Sequence, residues 1–81
     1  MYGQWNYRVV KREVEKALSL GGGVVISYAI HEAYYNDGEE KPFDIALEPC
    51  SPQGDTVEEL RESMVLMMQA FDREVLNYGD F

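Results

Sequence analysis

The feature that most constrains this chain is a twelve-residue stretch, Val24 to Tyr35, that is rich in β-branched and aromatic residues. It reads Val-Val-Ile-Ser-Tyr-Ala-Ile-His-Glu-Ala-Tyr-Tyr, and residues of these kinds are enriched in β-strands. The run is also longer than an average strand. It therefore predicts the central strand of a β-sheet, around which the other elements have to be arranged.

A second strand is predicted in residues 4–12, near the start of the chain. Trp5, Tyr7 and Val9 alternate there with polar residues, and such alternation is typical of a strand with one buried face. Val10 is the exception to the pattern. We expect the face that carries the two aromatic residues to be the buried one.

A third strand is predicted in residues 43–48. The segment follows a turn built on Asn36-Asp37-Gly38 and ends at Pro49, so it is expected to return antiparallel to the central strand. Between the first two strands, Gly21-Gly22-Gly23 is a strong breaker of regular structure. Residues 13–23 are therefore compatible with either a helical turn or a flexible hairpin connection.

A helix start is the clearest local signal in the chain. Thr56 and Glu59 have the spacing of a capping box, in which each side chain satisfies a free backbone N–H at the first turn. Apolar residues then recur at spacings of three and four along one helix face. This stripe consists of Val57, Leu60, Met64, Met67 and Phe71. Residues 72–81 can either extend the helix or form a short edge strand.

These elements predict an α+β fold in which a three-stranded antiparallel sheet carries one long C-terminal helix on one face, in the order β-β-β-α. We expect residues 1–81 to form a single domain, because a chain this short has room for one modest core. The helix is apolar beyond its stripe, which indicates that it touches a second surface. A homodimer is expected, formed through the sheet edge or through the methionine-rich helix face.

The charge of the chain indicates the chemistry of a partner. A net charge of −8 opposes contact with phosphate backbones and with anionic lipid. Residues 32–62 hold ten acidic and two basic residues, whereas residues 1–16 hold two acidic and four basic ones. We therefore expect a basic protein as partner, with no direct nucleic acid and no membrane. The expected partner-binding residues are Glu39, Glu40, Asp44, Glu58, Glu62, Leu66 and Met68.

Cysteine usage and the absence of transport signals point to the cytoplasm. Cys50 is the only cysteine, so no internal disulfide and no paired-thiolate metal site can form. The sequence has no apolar run near the length of a membrane span and no signal-peptide pattern. The acidic turn after the central strand lacks the spacing of a calcium loop, and the glycine triplet lacks the ending of a phosphate-binding loop. No cofactor and no metal ion are expected.

Catalysis is not expected. His31 and Glu32 are adjacent in the central strand, so their side chains point to opposite faces of the sheet. Cys50 has no histidine at a recognisable spacing. A small enzyme that uses His31 or Cys50 remains an alternative, and it requires one of them to lie in a pocket beside a partner side chain.

The stretch Ser51-Pro52-Gln53-Gly54-Asp55-Thr56-Val57-Glu58-Glu59-Leu60 resembles the HicB family of antitoxins. In that family a stretch of this kind precedes the helix of a small domain with three antiparallel strands, a partial ribonuclease H-like arrangement. The resemblance covers about residues 45–70, and Leu47-Glu48-Pro49-Cys50 stands where the family usually has Pro-Asp-Leu-Pro-Gly. It implies an acidic cover for a basic RNA-cleaving toxin, with no catalytic residues.

The leading hypothesis is thus a non-catalytic protein-interaction module, antitoxin-like or a small regulatory protein, whose acidic surface docks on a basic protein. An alternative is a phage- or mobile-element-encoded inhibitor that mimics the charge of a nucleic acid. The two hypotheses differ in the partner, which is a toxin in the first and a nucleic-acid-handling enzyme in the second.

Overall fold

A computed structural model describes residues 4–81, which form a curled, mixed sheet of four strands and one α-helix. Strands β1 (Gln4–Glu15) and β2 (Val24–Tyr35) pair antiparallel, and β3 (Asp44–Ile45) pairs antiparallel with β2. A fourth strand, β4 (Leu76–Asn77), pairs parallel with β1, so the order across the sheet is β3-β2-β1-β4. The predicted α+β class and its first three strands are confirmed. The purely antiparallel three-stranded sheet is wrong, because the segment after the helix returns to the free edge of β1.

The central strand has the bounds that its composition predicts, whereas β1 runs three residues further than expected. The two strands form a continuous ladder that ends where Lys16 N–H donates to the carbonyl oxygen of Gly23 at 2.8 Å. A short 3-10 turn, Leu18–Leu20, and three glycines with positive φ close the hairpin. Residues 13–15 therefore belong to β1, and residues 16–23 are a hairpin connection that includes one short helical turn.

The third strand is shorter than predicted, yet its neighbours continue along β2. Regular pairing is limited to Asp44–Ile45. Isolated backbone hydrogen bonds extend the contact on both sides: Phe43 N–H to Tyr34 O at 2.9 Å, Ala46 N–H to Glu32 O at 2.9 Å and Cys50 N–H to Ile30 O at 2.7 Å. Residues 43–50 thus border β2 as a loosely bonded edge segment.

Helix α1 (Val57–Met68) begins at the predicted cap and continues into a 3-10 turn, Gln69–Asp72. Glu59 N–H donates to the Thr56 hydroxyl at 3.1 Å, whereas the Glu59 carboxylate accepts from Asp55 N–H at 2.8 Å, one residue before the position that a standard box uses. Gly54 lies so close to this turn that a Cβ atom there would collide with the backbone nitrogen of Leu60. The tight approach of the loop to the helix start therefore requires glycine.

The apolar stripe of the helix is mostly uncovered. Met67 is the one buried residue of α1, and Ala70 in the following turn is buried too. Val57 and Phe71, at the two ends of the stripe, are 69% and 64% exposed. The helix is thus held against the sheet at its C-terminal end alone, and the expectation that its whole stripe packs on the sheet is wrong.

The core lies on the sheet face that the alternation of β1 assigns to polar residues. Its cluster consists of Val10, Ala33, Tyr35 and Ile45, against which Leu76 and Tyr78 pack. The register between β1 and β2 places Arg8 and His31 on the same face as Val10, and both are buried. On the face that was predicted to be buried, Val9 is buried and Tyr7 is half-buried, whereas Trp5 is 51% exposed. The C-terminal segment covers the opposite face, which carries Arg8 and Val10, and buries the side chains beneath it. This explains why the core cluster forms on the face that the alternation assigns to polar residues.

The molecule is more extended than its length predicts. Its radius of gyration is 15.0 Å, against about 12 Å for a compact chain of this length. Its accessible surface is 6314 Å², against about 5,000 Å² from the usual scaling with mass. The far half of the β1–β2 hairpin, residues 13–28, is exposed almost throughout, because no other element covers it. We call these residues the hairpin arm. Within residues 4–81, no helix is long and apolar enough to cross a membrane.

Replacing Gly54 by alanine is expected to destabilise the fold by about 1–3 kcal/mol, because the added methyl group overlaps the backbone at the start of α1. Gly79→Ala is the matched control, since a Cβ there meets no atom within 4 Å. Urea unfolding followed by circular dichroism measures both free energies. Equal stability of the two variants would contradict the close approach of the loop to the helix.

Candidate partner-binding groove

A groove of about 950 Å³ lies on the core side of the sheet. Its walls come from three parts of the chain: the start of β1, the loop after β2, and the segment that follows α1. We call it the C-terminal groove. The residues that line it fall in 4–8, 39–42 and 72–81, together with Tyr35.

Backbone pairing brings these distant segments together. The parallel contact of Leu76 with Val10 lays the C-terminal segment beside β1. On the other side, Gly38 adopts a positive φ of 79° and Glu39 N–H donates to Asn36 O at 3.1 Å, which turns the chain after β2. Main-chain geometry therefore brings these segments together, while side chains supply the chemistry of the groove.

Arg8 is the buried charge in the lining of this groove, and its side chain is 6% exposed. One guanidinium nitrogen, Nη1, donates to the Tyr35 hydroxyl at 2.7 Å, and Nη2 donates to the backbone oxygen of Glu74 at 2.7 Å. Both acceptors are neutral, and Nε has no partner among the described residues. The Asn6 side-chain oxygen is likewise buried without a partner. Arg8 thus ties the C-terminal segment to the sheet while its charge is left uncompensated.

Acidic side chains are in excess along the exposed rim of the groove. These acidic residues are Glu39, Glu40, Asp72, Glu74 and Asp80, and the basic ones are Lys41 and Arg73. Across the part of the chain that is described, the one ion pair joins Lys11 and Glu13 at 3.3 Å, so none of the rim residues has its charge neutralised in this way. Trp5, Val75 and Phe81 add apolar surface to the same lining, each between 42% and 51% exposed. The groove offers both uncompensated negative charge and uncovered apolar surface.

The seven predicted partner-binding residues are all exposed, but they do not form one site. Glu39 and Glu40 lie in the C-terminal groove, and Leu66 lines a smaller adjoining pocket of about 240 Å³ beside Trp5. The remaining four line neither cavity: Asp44, whose carboxylate accepts from Ile45 N–H at 2.8 Å, and Glu58, Glu62 and Met68. The predicted set omits the acidic residues of 72–81. They reach the groove because this segment forms a short edge strand, one of its two predicted alternatives, and local sequence does not indicate its parallel pairing with β1.

His31 has a structural position. It is 4% exposed, and its Nδ1 lies 2.8 Å from the backbone oxygen of Ala46. Because a carbonyl oxygen only accepts, Nδ1 carries the proton and donates it. The ring also meets the Tyr78 ring edge-on at 6.1 Å between centroids. His31 thereby joins β2 to both the segment after β3 and the C-terminal segment.

Cys50 lies apart from His31. Its sulfur is 3.9 Å from a carboxylate oxygen of Glu32, whose side chain points to the opposite face of β2 from that of His31. Burial raises the pKa of the Cys50 thiol, and the negative charge of Glu32 raises it further, although a backbone hydrogen bond opposes the shift. Burial also raises the pKa of Tyr7, with smaller contributions from the charges of Cys50 and Glu32. These shifts favour a protonated, weakly nucleophilic thiol.

The comparisons with known proteins found no matching family model, no matching curated protein and no matching solved structure. No group of three or more His, Cys, Asp and Glu side chains within residues 4–81 is arranged to hold a metal ion. The function therefore has to be argued from the groove, the charges and the exposed surfaces.

Tyr35→Phe is expected to lower the free energy of unfolding by about 1–3 kcal/mol, because it leaves buried Nη1 of Arg8 without an acceptor. Tyr28→Phe serves as control, since Tyr28 is 62% exposed and its hydroxyl has no described hydrogen bond. Chemical denaturation of the two variants compares them directly. A loss of the same size at both positions would show that the Arg8–Tyr35 bond does not matter.

Reaction of Cys50 with a thiol reagent is expected to reach its half-maximal rate at a higher pH than that of a free cysteine. The raised pKa keeps the thiol protonated until the pH rises through it. Glu32→Gln removes the nearby negative charge and should move the profile to lower pH, whereas Glu48→Gln should leave it in place. A wild-type profile that coincides with that of free cysteine would contradict the shielded position of the thiol.

Proposed function

We propose that this chain is a non-catalytic protein-interaction module that binds a basic segment of another protein in the C-terminal groove. The observation that carries the proposal is the rim itself, where exposed carboxylates without ion-pair partners stand beside exposed apolar side chains. A groove of about 950 Å³ is at the upper end of the range that binding clefts occupy. Its occupant would place basic side chains on the rim and an apolar side chain near Trp5 and Val75.

Electrostatics gives this interaction its expected behaviour. Complementary charges speed association and select against acidic partners, and exposed pairs weaken as salt screens them. The net charge of −8 acts in the same direction over a longer range. Binding should therefore be fast and salt-sensitive, and the same charge disfavours direct contact with nucleic acid or anionic membranes.

The positions of His31 and Cys50 favour binding over catalysis. The buried His31 ring is committed to the backbone of Ala46, and Cys50 contacts a carboxylate that discourages ionisation of its thiol. The two residues point away from each other across β2, so they do not provide a nucleophile and a base for one reaction. We accordingly propose no catalytic residue and no cofactor.

Within this class, an antitoxin-like role is the particular form that we propose, with a basic RNA-cleaving toxin as partner. It is supported by the resemblance of residues 51–60 to the HicB family, together with the order of three antiparallel strands followed by a helix that the resemblance implies. We place the protein in the cytoplasm, because the single cysteine suits a reducing compartment.

Capture of partners from native lysate at low and at high salt tests the proposal. Wild-type protein should retain a basic protein at low salt and release it at high salt. Glu39→Lys combined with Glu40→Lys should weaken that binding about tenfold or more, because it reverses the charge of one rim. Glu13→Lys combined with Glu15→Lys makes the same charge change on the hairpin arm and should leave the capture unchanged.

Three outcomes would contradict the proposal: no specific protein retained at either salt, retention that is indifferent to salt, or equal loss in both double variants. If the captured protein is a nucleic-acid-handling enzyme, binding in the groove is supported but the partner is not a toxin. The chain would then act as an inhibitor that mimics the charge of a nucleic acid. Circular dichroism of the variants checks that each is folded.

A further inference from the structure

Only half of the outer edge of β2 is hydrogen-bonded to another segment of the chain. The carbonyl oxygens of Tyr34, Glu32 and Ile30 accept hydrogen bonds from residues 43–50 on that side. Because alternate residues of a strand direct their backbone groups to the same edge, Tyr28, Ile26 and Val24 present theirs in the same direction. No described hydrogen bond reaches the outward groups of these three residues, and β3 pairs only with Ala33 and Tyr34.

This free edge lacks the features that usually prevent strands from associating. The segment from Val24 to Ile30 contains no charged residue and no proline. Val24, Ile26 and Tyr28 are 57%, 50% and 62% exposed, and their side chains share one face of the strand. An apolar, unpaired edge of this kind is a template for pairing with another strand. Both the backbone groups and the side chains of this edge are therefore available to a second strand.

We propose that residues 24–28 pair antiparallel with the same residues of a second copy of this chain, about a twofold axis at Ile26. Val24 then lies opposite Tyr28 of the partner subunit, and the two Ile26 residues face each other across the axis. The outward N–H and C=O groups of all three positions are satisfied in this register. The two sheets join into one continuous sheet of eight strands, four from each copy.

A second copy is favoured as the occupant for geometric reasons. A twofold axis presents the identical edge in the antiparallel direction, so the pattern of donors and acceptors matches itself. The accessible surface of 6314 Å² exceeds the compact expectation by about 1,300 Å², and a standard interface removes about 800 Å² from each partner. The hairpin arm is exposed almost throughout, so it contributes uncovered surface of the kind that a second copy would bury.

Charge distinguishes this edge from the exposed stripe of α1, the other apolar surface on which two copies can meet. Helix α1 holds Glu58, Glu59 and Glu62 against the single Arg61, a balance of −2, so pairing there would bring like charges together. The hairpin arm carries only Glu13, Glu15 and Lys16, which nearly cancel. Two chains of net charge −8 thus approach with least repulsion through their arms.

This association does not depend on the proposed function. The hairpin arm contributes no residue to the C-terminal groove, so each copy in the dimer keeps its groove open. Loss of the dimer and loss of the basic partner are separate results, and each can be tested with variants that leave the other surface intact.

Sedimentation velocity over a range of protein concentrations tests the inference. Wild-type protein should sediment as a dimer. Ile26→Pro removes an N–H that no bond within the chain uses, and Ile26→Lys places a charge on the axis, so both should raise the dissociation constant about 100-fold or more. Val57→Lys alters an exposed apolar residue on α1 and should stay dimeric, as should the double rim variant Glu39→Lys with Glu40→Lys.

Thiol cross-linking checks the register. In a Cys50→Ser background, Ile26→Cys should give a covalent dimer with a short bifunctional reagent, whereas Leu18→Cys, at a position 92% exposed near the tip of the arm, should not. A monomeric wild-type protein at high micromolar concentration would overturn the inference. A dimer that survives Ile26→Lys but is lost in Val57→Lys would overturn it in favour of the helix face.

Discussion

Every other element of this fold depends on the antiparallel ladder between β1 and β2. Twelve residues of each strand face each other, from Gln4 opposite Tyr35 to Glu15 opposite Val24. One half of this ribbon receives β3, β4, the end of α1 and the C-terminal segment, while the other half projects alone. A short chain with so many residues in one ribbon has few left to cover it. Its buried apolar residues are therefore few, and several of them are small.

Arg8 couples the stability of that covered half to the shape of the groove. Hydrogen bonds from a charged donor are stronger than those between neutral groups, and two of them hold Tyr35 and the backbone of Glu74. The desolvation of the guanidinium works against them. The wall that carries the acidic residues of 72–81 is thus held in place by a buried cation, and the groove exists because the C-terminal segment is fastened there.

Features that depend on neighbouring residues were predictable from the sequence, whereas features that depend on contacts between distant segments were not. The bounds of β2 follow from its β-branched and aromatic composition, and the start of α1 follows from Thr56 and Glu59. Periodicity identified the residues that share the helix face, but it cannot tell whether another element covers that face. The alternation of β1 places Arg8 among the polar residues, but its burial depends on a parallel contact with residues 76–77 far along the chain. Of the five carboxylates in the predicted set, Glu39 and Glu40 share the groove, whereas Asp44, Glu58 and Glu62 lie elsewhere.

The parallel contact of β4 also has a consequence for how the chain folds during synthesis. Residues 4–35 contain the whole β1–β2 ladder, so this hairpin can form as soon as they leave the ribosome. Arg8, however, finds the carbonyl of Glu74 only after a further 39 residues of chain have emerged beyond Tyr35. Until then its guanidinium remains hydrated and the core face of the ribbon stays open to water. Closure of the core is therefore a late event, timed by the arrival of the C-terminal segment.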